Sequence, residues 1–321
     1  MQSTSICILS TGGTICSKDQ GRGLAPQPLD KKVKNYLQKK YSSVNLDFEE
    51  GLDLIDSANM KPKYWAKLAN YVQDLRTMYT AVIIFHGTDT MAFTAAALFL
   101  LLQAIDIPVV FVGSQKPIYS KFTDAYNNID TAMLMAMSKY PGVFIAFNGK
   151  ILPGMACSKI DSEKYDAFAP INTEVVARNI KRKLVFSKKY RKLPNLPPYK
   201  DRIFTGNEFN SSFHCFDLNP GADNHIMELA SMFNILVIRS YGAGGLPEDI
   251  LDELAKAQKK YNTKIGIATQ CTYGGVNLNI YETGKTTKEK INLISAKKDA
   301  LEYFTLKLRY KYNEENQNCF N

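Results

Sequence analysis

The chain has no apolar run long enough to cross a bilayer. Its best candidate, Phe93 to Ile105, stops well short of the ~20 residues a spanning helix needs and reads as a helix buried against a sheet. No charged leader segment precedes Ser5, and the first strand begins almost at once. There is no Gly-Lys-Ser/Thr phosphate loop and no G-x-G-x-x-G, which disfavours nucleotide binding. Three histidines, His86, His214 and His225, share no metal-ligand spacing, so no metal and no cofactor is expected. Six cysteines form no C-x-x-C, and Cys7 sits inside the first apolar strand; reduced thiols and a cytoplasmic location are the expectation.

What is present is a soluble globular composition, 45% apolar and 22% charged over 321 residues, enough for two domains with real cores. The net charge is +9. Much of the excess is local: Lys181-Arg182-Lys183, Lys188 to Lys192, and a group from Lys285 to Lys311. Clustered base can bind nucleic acid, but no stacking platform or recognition motif accompanies it. A solvated linker and solvated helix faces are the simpler reading, with neither nucleic acid nor membrane as a partner.

One stretch organises the chain. Ala81 to Phe85 is a continuous apolar run of the kind buried on both faces of a parallel sheet. His86-Gly87-Thr88-Asp89-Thr90 follows as a small polar turn, and Met91 to Ile105, rich in Ala and Leu, reads as a helix. Strand, turn and helix open a βαβ crossover, and ligands of open α/β sheets sit beyond the carboxyl ends of the strands. Thr88 and Asp89 therefore lie where chemistry is usually done. A second segment has the same layout: Ser5 to Leu9 as a strand, then Ser10-Thr11-Gly12-Gly13-Thr14, with a hydroxyl at the strand tip and paired glycines for tight turning.

The remaining pattern alternates strand and helix without internal repeat. Helices are expected over 31–40, 61–77 and 126–137, and strands over 45–54, 108–112 and 142–147. Gly21 to Pro28 reads as a mobile loop of the kind that lids an active site. Proline and base from Lys188 to Tyr199 mark a linker. The expected class is α/β: a larger, doubly wound, mostly parallel N-terminal sheet domain over 1–189, a linker over 190–212, and a smaller C-terminal α/β domain over 213–321. In the latter, helices are expected at 223–233, 247–261 and 299–312 and strands at 234–239 and 264–269.

The two turns together resemble the two signatures of the L-asparaginase family, Thr11-Gly12-Gly13-Thr14-Ile15 and His86-Gly87-Thr88-Asp89-Thr90-Met91. The resemblance runs nearly end to end, through Asp56-Ser57-Ala58-Asn59-Met60, Val112 to Pro117, Ser158-Lys159, Asp166-Ala167-Phe168, Arg239 to Gly242 and Thr269-Gln270-Cys271. It is nearer the cytoplasmic type I branch. It implies a homodimer or homotetramer that converts L-asparagine and water to L-aspartate and ammonia. Two positions depart from the pattern: Leu24 stands where many lids carry tyrosine, and Gly245 where the family carries asparagine. These bear on catalytic efficiency and amino-group recognition rather than on fold.

Amide hydrolysis needs a nucleophile, a base to activate it and donors for the oxyanion. His86, at the end of the strand itself, is poorly placed as that base. A lysine beside a carboxylate is an alternative relay. The resemblance implies Thr11 as nucleophile, with Thr88, Lys159 and Asp89 as relay. It also implies that Asp89 binds the substrate ammonium and Ser57 its carboxylate, with Ala58 beside it. The small pocket suggested by Ser57-Ala58 and Gly87 favours asparagine over glutamine. A type I effector site would map to Ser158, Arg239 and Cys271, unless Arg239 instead pairs with an acidic neighbour. Three alternatives stand beside this reading. One is the D-type glutaminase component of a glutamyl-tRNA(Gln) amidotransferase, which normally carries an extra N-terminal domain for which there is no room before Ser5. The others are a weakly catalytic amino-acid-binding sensor and, from charge alone, a nucleic-acid-associated protein.

Overall fold

The computed structural model describes residues 4–19, 24–25, 27–50, 53–221 and 223–318. The chain divides into two compact units, Met1–Gly206 and Asn207–Asn321. Among the described residues no helix is long and apolar enough to cross a membrane.

The first unit opens with β1 (Ser5–Ser10), a small hairpin of β2 (Lys18–Asp19) and β3 (Leu24–Ala25), α1 (Lys31–Lys40) and β4 (Asn45–Glu49). It continues with α2 (Pro62–Leu75), β5 (Ala81–Phe85), α3 (Met91–Leu101), β6 (Pro108–Val112), α4 (Ala125–Met137) and β7 (Gly142–Phe147). Five short strands follow: β8 (Lys150–Pro153), β9 (Cys157–Lys159), β10 (Phe168–Pro170), β11 (Ala177–Ile180) and β12 (Lys183–Phe186). The main sheet has the order β12-β11-β8-β7-β6-β5-β1-β4. It is parallel from β4 to β7 and antiparallel from β7 to β12.

Local chemistry explains the elements. Asp30 caps α1 by accepting the Lys32 amide at 2.7 Å, and Pro62 opens α2, where its missing N–H costs nothing. All five residues of β5 are buried. Ala81, Ile83 and Phe85 share a core with Val33 and Leu37 of α1 and with Ile129 and Met133 of α4. The alternate Val82 and Ile84 point to the opposite face, the side of α2 and α3, whose packing is pinned by Trp65 Nε1 donating to Thr94 Oγ1 at 3.1 Å. Helices on both faces explain why the central strands read as unbroken apolar runs.

Some boundaries differ from those read in the sequence. α3 stops at Leu101, four residues early, because the chain must reverse into β6; Ala104 takes a left-handed φ of 63° to do so. β4 ends at Glu49 rather than Leu54. Most of the expected lid lies outside the described residues; its Leu24–Ala25 pairs with Lys18–Asp19. Part of the expected linker is tied down. The Asn70 side chain exchanges two hydrogen bonds with the Phe204 backbone, and Tyr199 stacks on the Arg76 guanidinium.

The second unit contains β13 (Phe213–Asp217), α5 (Ile226–Met232), β14 (Ile235–Ser240), α6 (Glu248–Tyr261), β15 (Lys264–Thr269), α7 (Glu282–Lys290), β16 (Leu293–Ser295) and α8 (Leu301–Asn318). Its sheet is parallel throughout, in the order β13-β14-β15-β16. Gly266 in β15 allows α8 to lie close, since a Cβ there would come within 2.7 Å of Leu308.

Candidate active site

Strand order locates the site. From β1 the chain crosses to β4 on one side and returns to β5 on the other. Strand order therefore reverses at β1, and ligands of open α/β sheets bind at such a switch point, beyond the carboxyl ends of the strands, here β1 and β5. Thr11 follows the last residue of β1, and Thr88-Asp89 stand three and four residues past the end of β5.

The two turns touch backbone to backbone. Gly13, at φ 100°, has no room for a side chain: a Cβ would lie 2.5 Å from the Gly87 nitrogen. A Cβ on Gly87 would in turn overlap Ser57 Oγ, and one on Gly113, past β6, would come within 2.7 Å of the His86 carbonyl. The glycines thus draw three strand tips and the Ser57 turn into one cluster.

Thr11 is buried, 5% exposed. Its amide and its Oγ1 both donate to the Phe85 carbonyl, at 2.9 and 3.1 Å, and its own carbonyl accepts the Ile55 amide at 2.8 Å. The hydroxyl proton is therefore committed to the backbone of the neighbouring strand at rest. Ser57 is also buried, in a short turn capped by Asp56 accepting the Ala58 amide at 3.0 Å; Ala58 itself is exposed. Thr90 Oγ1 donates to the Ser57 carbonyl at 2.8 Å, tying this turn to the start of α3.

Lys159 meets the relay positions directly. Its Nζ donates to Thr88 Oγ1 at 2.9 Å and to Asp89 Oδ1 at 2.7 Å. Thr90, not Asp89, occupies the N-cap of α3. Asp89 is 64% exposed and Lys159 20%, so the pair opens to solvent through its carboxylate. Lys159 is carried on β9, opposite Phe168 of β10.

Residues to which sequence reading gave no role hold this hairpin. Buried Lys150 donates to the Phe168 carbonyl at 3.0 Å and pairs with Asp166. Gln115 Nε2 donates to the Ser162 and Lys164 carbonyls at 3.0 and 3.2 Å. Asp124 accepts the Gln115 and Lys116 amides and the Asn128 side chain, fixing the turn after β6. A lysine inside an apolar strand and an Asp four residues before an Asn at a helix start were the available signals.

His86 is a structural residue. It is wholly buried, its Nδ1 lies 2.7 Å from the Gly87 carbonyl, and Nε2 has no partner among the described residues. The carbonyl can only accept, so Nδ1 carries the proton and the ring is neutral. Burial lowers its pKa to about 4. Two tyrosines, Tyr165 and Tyr119, are both engaged: Tyr165 donates to the Phe122 carbonyl, while Tyr119 is bonded to Asp30 and Lys18.

The residues matched to an effector site fall in different units. Ser158 lies on β9, while Arg239 and Cys271 belong to the second unit. There Arg239 Nη1 donates to both Asp217 carboxylate oxygens, at 2.8 and 3.0 Å. Cys271 is an exposed free thiol and Cys7 and Cys16 are buried ones, with pKa values raised by burial to about 12 and about 11. Cavities of 780 Å3 near α7 and 640 Å3 near Asp30 include none of the catalytic candidates. Among the described residues no three His, Cys, Asp or Glu side chains converge as a metal set.

Comparison with known proteins agrees with this architecture. Residues 5–192 match the family model described as Asparaginase, N-terminal, and residues 214–318 that of the Glutaminase/Asparaginase C-terminal domain. An L-asparaginase of Thermococcus kodakarensis is 30% identical over 289 residues, 88% of this chain and 85% of that protein. The structure of the thermostable L-asparaginase from the same organism superposes with a TM-score of 0.86 at 28% identity, covering 97% of this chain and 93% of that one. The D-type component of the glutamyl-tRNA(Gln) amidotransferase of Sulfurisphaera tokodaii is 29% identical over 303 residues, 90% of this chain but 66% of that protein.

Proposed function

Because the chain belongs to the asparaginase family, we propose that it hydrolyses L-asparagine to L-aspartate and ammonia beyond the carboxyl ends of β1 and β5. The observation that carries this reading is the pair of short bonds from Lys159 to Thr88 and Asp89 beside the Thr11 turn. On binding, Thr11 Oγ1 leaves the Phe85 carbonyl and forms a bond to the carboxamide carbon. Its proton moves through the Thr88–Lys159–Asp89 relay to the departing nitrogen, which leaves as ammonia as the C–N bond breaks. Water then attacks the threonyl ester, delivering its proton by the same route, and aspartate and the free hydroxyl are released.

Asp89 serves twice in this scheme, holding Lys159 and the substrate ammonium, and its exposure suits the second task. Ser57 faces the carboxylate, with its Oγ packed against Gly87; that close wall suits the shorter asparagine chain over glutamine. We expect a homodimer or dimer of dimers; an active monomer in sedimentation would count against it. Ammonia release from L-asparagine, D-asparagine and L-glutamine tests the reaction itself, and kcat/KM for glutamine equal to that for asparagine would end the preference. Binding without turnover would make the chain a sensor.

A second reading rests on the similarity to the D-type amidotransferase component, at nearly the same identity as to L-asparaginase. Glutamine hydrolysis that requires glutamyl-tRNA and a second protein would establish it.

A further inference from the structure

Between residues 174 and 192 the sequence has eight lysines and arginines against a single acid, Glu174, so this stretch alone supplies seven of the chain's nine net positive charges. It forms the β11–β12 hairpin and the turn after it. Arg178, Lys181, Arg182 and Lys183 are exposed on the hairpin, and none of the eight cations closes an ion pair among the described residues.

The hairpin turn is strained to present these charges. Ile180 pairs with Lys183 across a two-residue loop in which Lys181 and Arg182 take φ of 48° and 64°. This is a type I′ turn, which Asn-Gly fills at least cost. Two long side chains in the left-handed region are strained there and give the turn nothing in return. The same sheet shows the relaxed solution at Asn148-Gly149, between β7 and β8, with φ of 46° and 69°.

The outer face of the hairpin is not purely polar. Arg178 stands opposite Val185, and Ile180 opposite Lys183, with both aliphatic side chains 49% exposed. The opposite face, Leu184 and Phe186, packs on the core beneath. β12 is the terminal strand of the sheet, so its outward backbone groups have no partner strand among the described residues.

We propose that this edge docks an extended segment of another protein, one that adds as a strand beside β12 and alternates acidic and aliphatic side chains on its outer face. Main-chain hydrogen bonds would supply affinity, with a carboxylate beside Lys183 and an aliphatic group beside Val185 supplying selectivity. A second copy of this chain would bring like charge against like. For nucleic acid, the aromatic nearest this basic run, Tyr190, is already engaged, against Tyr140 and under the Lys189 ammonium.

The test is fluorescence anisotropy of the full chain with a labelled peptide, Thr-Glu-Thr-Val-Thr-Glu-Thr-Val, against the same peptide with proline at its central threonine and against oligouridylate. The expected result is binding of the first peptide alone, falling as salt rises from about 50 to about 300 mM. The double change Lys181→Asn with Arg182→Gly relaxes the turn, so melting temperature rises while peptide affinity falls by about tenfold. Amide hydrolysis stays at the wild-type rate. Equal binding of the proline peptide, or tighter binding of oligouridylate, would overturn the proposal. No binding below about 1 mM would show that these lysines only keep the edge from pairing.

Discussion

The two sheets are built from the same part, a buried parallel strand followed by a helix, yet only the first has a reversal of strand order among its parallel strands. In the second unit β13, β14, β15 and β16 follow one another in a single direction, so each connection covers the last. In the first unit the direction reverses at β1. Identical local chemistry, an apolar run closed by a Gly-rich turn, thus has different consequences. The turn after β1 receives Gly87, Ser57 and, through Thr88, Lys159; the turn after β14 closes on itself, through a Tyr241–Gly245 bridge. Topology, rather than turn sequence, decides which strand tip can gather a site.

The sharpest way to break this comparison is to remove polar side-chain groups at or against the strand tips of each unit. Thr11→Ala and Lys159→Met should each lower kcat by about three decades, roughly 4 kcal/mol of transition-state stabilisation. The double variant should be little worse than either, because groups that act as one unit do not add. Thr269→Ala, at the tip of β15, should cost no more than a few-fold; its Oγ1 donates to the Gly242 carbonyl and caps the Cys271 amide. Single-turnover rates and calorimetric aspartate binding on the same preparations decide the matter. Lys159→Met retaining more than about a tenth of the rate, under ~1.4 kcal/mol of loss, would remove lysine from the relay.

A glycine in each unit gives the next contrast. Gly13 and Gly242 both have positive φ in turns past a strand tip, at 100° and 45°. A Cβ on Gly13 meets Gly87 and His86 backbone within 2.7 Å, whereas one on Gly242 meets nothing within 4 Å. Gly13→Ala should therefore destabilise by roughly 3 to 5 kcal/mol and abolish turnover, since neither backbone can yield. Gly242→Ala carries only the left-handed strain, about 1 kcal/mol. Urea midpoints measured on the two variants would show the gap; equal losses would mean that the strand tips of the first unit are not packed as tightly as the geometry requires.

Much of this was legible in the sequence. The buried strands β1, β5, β6 and β7 are largely apolar runs, and the polar turns after two of them carry the candidate site. The placement of Lys159 is a different case. Its strand is three residues long, and its position depends on Lys150, Gln115 and Asp166, contacts that no period in the sequence encodes. The β7–β8 hairpin carries Asn148-Gly149, the strongest short hairpin signal there is, although the strand expected over 142–147 ends just before it. The β11–β12 hairpin bears no such mark. Its turn is Lys181-Arg182, which reads as solvated charge, and only the backbone reveals a strand pair there. The reversal of direction at β1 is equally silent, because strand order is settled by long-range pairing.

Burial of His86 among the tips sets a pH dependence. Its pKa is lowered to about 4 in the folded chain, from an ordinary value near 6.5. Between those values the unfolded chain holds the proton and the folded chain does not, so stability rises with pH across this window and is lost as pH falls through it. The full span is worth about 3 kcal/mol. His86→Phe should flatten the pH 4 to 6.5 part of the stability profile measured by denaturant midpoint. A slope unchanged in that variant would trace the acid sensitivity to carboxylates instead.

The smallest expected effect belongs to Arg239, and it bears on whether the second sheet has any binding role of its own. The resemblance places Arg239 in an effector site, where a free guanidinium would grip a carboxylate. In this chain its Nη1 already bridges both oxygens of Asp217, which follows from register: Asp217 of β13 lies directly beside Arg239 of β14. The pair is 29% and 44% exposed, so solvent screens it and its loss costs well under ~1 kcal/mol of stability. An effector carboxylate would have to displace Asp217, exchanging one ion pair for another with little net gain. The rate curve for asparagine should therefore be hyperbolic, and Arg239→Ala should leave its shape unchanged. Asp217→Asn is the sharper variant. It frees the guanidinium without removing it, so a sigmoidal curve whose midpoint falls several-fold in Asp217→Asn and whose sigmoidicity vanishes in Arg239→Ala would establish an effector site on the second sheet.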